Sequence, residues 1–164
     1  MIEVYPNLFV GDEADARTAL NKTGWYIVHA CKEPFHRQTL GYTGRAAPKK
    51  HPEYLIAERD GRLILNLVDA PDPAYIPKEV MDAAVDAIHQ NIYKSKVLVH
   101  CNQGMSRSPT IVFLYLAKYT NVFSSNEFSL ALGEFKKLYP RYLPVNGVAM
   151  FSRQNWSLYV NNNE

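Results

Sequence analysis

Cysteine is scarce in this chain: Cys31 and Cys101 are the two among 164 residues, so at most one disulfide can form and a small secreted disulfide scaffold is not expected. Long apolar runs are missing too. The best of them, residues 111–117, falls well short of the ~18 residues of a membrane helix, which argues against a membrane segment. No secretory pattern opens the sequence, and a reducing, cytoplasmic location is the expectation. Internal repeats and low-complexity tracts are absent, which excludes solenoids and disordered linkers. Charge of one sign is not in excess: 18 Lys and Arg face 16 Asp and Glu, a net charge of +2 that is too weak for an obligate nucleic-acid binder.

What remains is an ordinary globular composition, 47% hydrophobic and 21% charged. A chain of this length buries roughly 70% of its unfolded surface and needs no metal or disulfide to hold a core, so one domain spanning 1–164 is expected. The small net charge has a location. Residues 32–62 hold seven basic and four acidic side chains, whereas 63–93 sum to −4. A basic surplus of this kind either is solvated or attracts an anionic partner.

Periodicity predicts alternating strands and helices. Residues 4–11 read as one strand closed by Gly11, with a helix from Asp12 to about Asn21. Residues 26–30 and 62–68 are further strand candidates. Between them, residues 31–60 hold Pro34, Gly41, Gly44, Pro48 and Pro52, too much punctuation for regular structure. Pro77 opens a helix with Val80, Ala84, Val85, Ile88 and Ile92 at helical spacing, and Val97-Leu98-Val99 is a strand buried on both faces. Pro109 starts an apolar helix to about Tyr119. Ser124 and Glu127 match a capping box ahead of a helix that Pro140 stops, and a last helix runs from Gly147 to about Tyr159. This pattern predicts an α/β fold, a central, mostly parallel twisted sheet of about 4–5 strands flanked by helices.

The chemistry concentrates where residues 97–99 deliver the chain into His100-Cys101-Asn102-Gln103-Gly104-Met105-Ser106-Arg107-Ser108. A loop between the carboxyl end of a buried strand and a helix N-terminus is a ready anion site, because free N–H groups and the positive end of the helix dipole face it. Gly104 permits the tight turn that makes successive amides converge. The same field lowers the pKa of a thiol at Cys101 and makes it a standing nucleophile. Arg107 offers a planar fork for two phosphoryl oxygens, and a Ser108 hydroxyl can hydrogen-bond the sulfur when it leaves.

His-Cys-x-x-Gly-x-x-Arg-Ser in this setting resembles the signature of the protein tyrosine phosphatase superfamily, and the chain is most similar to its compact dual-specificity branch. Residues 4–11 resemble that branch's opening strand, and Pro144-Val145-Asn146-Gly147 resembles its turn before the last helix. The resemblance implies a cysteine phosphatase fold, no metal or other cofactor, a phosphorylated protein as partner, and hydrolysis of phosphotyrosine, with phosphoserine and phosphothreonine as further substrates. Cys101 is then the nucleophile that forms a phosphocysteine, and Arg107 with the amides of Asn102, Gln103, Gly104, Met105, Ser106 and Arg107 itself binds the phosphoryl group.

The family also places an Asp roughly thirty residues upstream as general acid. Asp69 and Asp72 both qualify; alternation with Leu65 and Leu67 favours Asp69 at the strand exit, while Asp72 sits between two prolines. In the family the histidine of the signature orients the loop, a role His100 would inherit, though a strand histidine is as often simply packed. Cys31 is read as a packing residue. Residues 31–60 match the family least and are expected at the cleft rim. Other readings are an inositol phospholipid or RNA 5′-triphosphate phosphatase, or a non-enzymatic phosphopeptide-binding module. The neutral Asn102, Gln103, Met105 and Ser106 argue against a highly anionic headgroup, and retention of both Cys101 and Arg107 argues against the binder.

Overall fold

A computed structural model describes residues 1–160 of the chain; the last four residues of the expected domain lie outside the described residues. Six strands form one sheet: β1 (Ile2–Tyr5), β2 (Leu8–Gly11), β3 (Trp25–His29), β4 (Ile56–Arg59), β5 (Arg62–Leu65) and β6 (Lys96–His100), in the order β1-β2-β6-β3-β5-β4. The inner four are parallel, and β1 and β4 close the two edges antiparallel to their neighbours. The α/β reading therefore stands, with a larger sheet than the 4–5 strands expected.

Two segments account for the difference. Residues 4–11 are not one strand: Asn7 adopts φ 66°, and the chain folds back there into the β1–β2 hairpin. Residues 31–60 are more regular than their prolines suggest. They contain helical turns over Lys32–His36, a short helix α2 (Arg37–Leu40), and β4 on the sheet edge.

Helices α1 (Glu13–Ala19), α3 (Lys78–Asn91), α4 (Arg107–Tyr119), α5 (Phe128–Leu138), α6 (Asn146–Gln154) and α7 (Trp156–Tyr159) complete the fold. Asp12 caps α1 through a reciprocal pair with Asp15. The expected Ser124–Glu127 box does not form: Glu127 itself caps α5, accepting from the Ser129 and Leu130 amides, while the Ser124 hydroxyl turns to Glu134. A carboxylate outcompetes a neutral hydroxyl for helix N–H groups. Helix α4 begins at Arg107, with Pro109 inside its first turn, where its missing N–H costs nothing. The single terminal helix is two, broken at Asn155.

Both faces of the sheet are covered, which is why β6 is buried along all but its first residue. The larger core lies under α3 and α4, with α5, α6 and α7 packed outside. A smaller apolar cluster of Ala16, Ala19, Ile27, Cys31, Phe35, Ala57, Ile64 and Leu98 fills the opposite face. Among the described residues no helix is long and apolar enough to cross a membrane. The parallel strands β2, β6, β3 and β5 all end on the same side, and the loop that follows β6 opens there.

Candidate active site

Cys101 follows β6 directly and lies at the floor of a cavity of about 320 Å³ whose wall includes Asp69, Arg107 and Leu143. The loop around it turns on Gly104, at φ 71°; a Cβ there would come within 2.8 Å of the Gly11 carbonyl oxygen, so only glycine fits by conformation and by space.

The carbonyls of this loop are bonded away from the cavity. That of Cys101 meets His100 Nδ1 at 3.1 Å, that of Asn102 accepts from the Glu13 amide at 3.3 Å, and that of Gln103 accepts from Arg141 Nη2 at 3.3 Å. The Gly104 carbonyl accepts from the Tyr139 hydroxyl, and the Met105 carbonyl from the Leu143 amide at 2.8 Å. Across a planar trans peptide the next residue's N–H points opposite to the carbonyl. Five outward carbonyls therefore aim the amides of residues 102–106 inward, toward Cys101, and give the loop the concavity of an anion nest.

Cys101 is 2% exposed, and burial alone would raise its thiol pKa. The net direction is down. The Ser108 hydroxyl, 3.2 Å from Sγ, the Ser108 and Gly104 amides and the Arg107 charge together outweigh the desolvation. Arg107 is itself nearly buried and tightly oriented: Nη1 donates to the Leu67 carbonyl at 3.0 Å and Nη2 to Asn102 Oδ1 at 2.7 Å. Its Nε–H is buried without an acceptor among the described residues, a donor left over for a ligand. The Leu67 carbonyl also accepts from the Lys32 amide at 2.9 Å; β5 itself ends at Leu65, short of the expected residue 68.

The two aspartates separate. Asp69 lines the cavity, and its Oδ1 accepts from Ser106 Oγ at 3.0 Å. Asp72 does not line it; its Oδ1 accepts from the Ala74 amide at 2.8 Å and caps the turn Pro73–Tyr75. Ser106 Oγ also accepts from the Val145 amide at 2.9 Å, and Gly147 N–H donates to the Ala70 carbonyl at 3.0 Å. A Cβ on Gly147 would sit 2.1 Å from that carbonyl oxygen. The loops after β5, β6 and α5 are thus tied into one wall.

The structure therefore brings Asp69, Cys101, Asn102, Gln103, Met105, Ser106 and Arg107 to one cavity, with Gly104 in its loop, Ser108 behind the sulfur and His100 beneath it. Several partners carry no sequence signal: the Tyr139 hydroxyl, the Val145 amide, and Asn102 as the clamp that orients Arg107. Asn102 Nδ2 also donates to the Glu33 carbonyl at 2.9 Å, so the 31–60 segment braces the loop. Cys31 lies in the smaller apolar cluster, its thiol pushed up to about 12 mainly by burial.

A family model described as "Dual specificity phosphatase, catalytic domain" matches residues 62–141. The chain is 34% identical over 123 residues to mouse dual specificity protein phosphatase 13B, covering 73% of this chain and 57% of that protein. It is 31% identical over 121 residues to human dual specificity protein phosphatase 26, covering 71% and 51% respectively. The chain thus spans a little over half the length of these relatives. Among solved structures it is similar to human DUSP28, with a TM-score of 0.65 at 19% identity over 96% of this chain and 93% of that one. It is also similar to DUSP15, with a TM-score of 0.60 at 21% identity over 95% and 86%. At these identities the structural likeness shows the fold.

Proposed function

The chain belongs to the dual-specificity branch of the protein tyrosine phosphatases, and on that premise we propose that it hydrolyses phosphate monoesters of protein side chains, phosphotyrosine foremost, through a phosphocysteine on Cys101. The observation that carries the reading is the loop whose five outward-bonded carbonyls aim amides at a thiol of lowered pKa.

In the first step the Cys101 thiolate attacks phosphorus in line. The S–P bond forms, the bond to the leaving oxygen breaks, and Asp69 delivers a proton to that oxygen. Arg107 and the loop amides neutralise the equatorial oxygens. In the second step water attacks the phosphocysteine, Asp69 takes its proton, and the S–P bond breaks with the Ser108 hydroxyl hydrogen-bonded to the departing thiolate. The uncharged side chains of Asn102, Gln103, Met105 and Ser106 suit a monoester better than a polyanionic headgroup.

Turnover of an aryl phosphate and of tyrosine-, serine- and threonine-phosphorylated peptides tests this directly. Cys101→Ser is expected to lose at least ~10⁴-fold in kcat; a wild-type protein without turnover overturns the reading. Asp69→Asn is expected to lose about 10²- to 10⁴-fold and to abolish the fall in rate at high pH. Asp72→Asn should keep that limb, and loss of it there instead would move the acid to Asp72.

A further inference from the structure

Beneath Cys101 runs a buried chain of hydrogen bonds that the proposed chemistry does not use. Arg62, the first residue of β5, places Nε 2.9 Å from His29 Nε2. His29 Nδ1 lies 2.5 Å from His100 Nε2, and His100 Nδ1 lies 3.1 Å from the Cys101 carbonyl oxygen. Both rings are fully buried. Phe35 stacks on His29 at 4.3 Å and meets His100 edge-on at 5.0 Å.

The polarity of this chain follows from its ends. A guanidinium only donates, so His29 Nε2 must be the acceptor. A neutral imidazole then carries its proton on Nδ1 and donates it to His100 Nε2. His100 in turn carries its proton on Nδ1 and donates it to the Cys101 carbonyl, which only accepts. Every donor meets an acceptor with both rings neutral, and burial depresses the pKa of His29 to about 2 and of His100 to about 4, in the same sense.

We propose that Arg62 is a positioning residue for Cys101: its obligatory donation at one end, joined to the acceptor demand of the Cys101 carbonyl at the other, sets the tautomers of His29 and His100 and so helps hold the Cys101 carbonyl turned out of the cavity and the Asn102 N–H turned in. This rests on Cys101 being the reacting group. With the Arg62 donor gone, His29 Nε2 no longer meets a donor and the Cys101 carbonyl is the one end still holding the polarity. The reversed chain, with a proton on His29 Nε2 and a lone pair of His100 Nδ1 facing the carbonyl, then gains population. Arg62 reaches the sulfur through two rings and one peptide, from β5, two strands away across β3.

The experiment has two readouts, neither of which uses substrate. Nitrogen-15 NMR of histidine-labelled protein reports which ring nitrogen bears the proton, and the pH dependence of Cys101 alkylation by iodoacetamide reports the thiol. Wild type is expected to show Nδ1–H on both His29 and His100. Arg62→Met should make Nε2–H signals appear on both rings and slow alkylation by up to about 10-fold on the acid side of the thiol titration, as for a rise of up to one unit in the thiol's pKa. Arg62→Lys, which keeps a donor, should retain both signals.

The other ionisable groups around the thiol are Arg107, Cys31, Tyr139 and Asp69, and Asp15 and Arg107 act on His100; all are unchanged in these variants. Nε2–H on either ring of the wild type overturns the proposal without any variant having to fold. So does a folded Arg62→Met protein with unchanged tautomers and alkylation. Absent turnover in the wild type would strike the phosphatase reading and leave this one standing.

Discussion

His29 and His100 stand opposite each other across β3 and β6, and each strand runs on within two residues into a buried cysteine. Cys31 is 0% exposed and Cys101 2%, yet burial drives the first thiol up to about 12 while the second moves down. The difference lies in what the chain does next. After Cys31 it enters the helical turns of residues 32–36, which offer the sulfur no capping donor. After Cys101 it returns as the first turn of α4, bringing the Ser108 hydroxyl and amide against the sulfur, with the Gly104 amide from the loop between. Arg107 lowers both thiols, and at Cys31 its charge is not enough. Burial sets the default, a nearby cation softens it, and only direct hydrogen bonds to the sulfur reverse it.

The sharpest way to break this contrast is alkylation of the native protein at pH 7, followed by peptide mapping. Cys101 is expected to react at least ~10³-fold faster than Cys31, because the thiolate and not the thiol is the nucleophile. Comparable rates would mean that the two strand ends are chemically alike.

A second effect tests what the ends share. His29 and His100 stay neutral in the fold down to about 2 and about 4, whereas in the unfolded chain each takes a proton near 6.5. Below pH 6.5 the unfolded state therefore binds protons that the native state refuses. Stability should fall by about 1.4 kcal/mol per pH unit for each ring between pH 6.5 and about 5, with no contribution from the pair above that window. Urea midpoints flat across this window would show the pair to be accessible or charged. The smallest expected effect is Ser108→Ala, which removes one of the hydrogen bonds that distinguish Cys101. Its alkylation at pH 6 should slow about 10-fold, toward Cys31 behaviour; no change would assign the lowered thiol to the amides and Arg107 alone.

Legibility followed contiguity. The strand, the Gly104 turn and α4 are adjacent in the chain, so residues 100–108 announce their arrangement. Alternation from Leu65 favoured Asp69, but β5 ends at Leu65, and it is the loop beyond the strand that brings Asp69 to the cavity. Bonds that span 33 to 71 residues were not readable: Arg62 to His29, His29 to His100, Tyr139 to Gly104. Each involves a residue type with a commonplace packing role. The β4 strand escaped for a different reason. As an edge it buries only Ala57 fully, which leaves neither alternation nor an apolar run to detect. The β1–β2 hairpin was hidden because an Asn at positive φ is indistinguishable in sequence from an Asn in a strand.

One hydroxyl at the junction of three loops has a last consequence. A free carboxyl group has two equivalent oxygens, and Ser106 abolishes that equivalence at Asp69: its single proton goes to Oδ1 while its lone pair takes the Val145 N–H. With Oδ1 engaged as an acceptor, an acidic proton carried by Asp69 rides on Oδ2. Under the proposed chemistry the proton would then have one port of departure rather than two, chosen by the Ser106 hydroxyl.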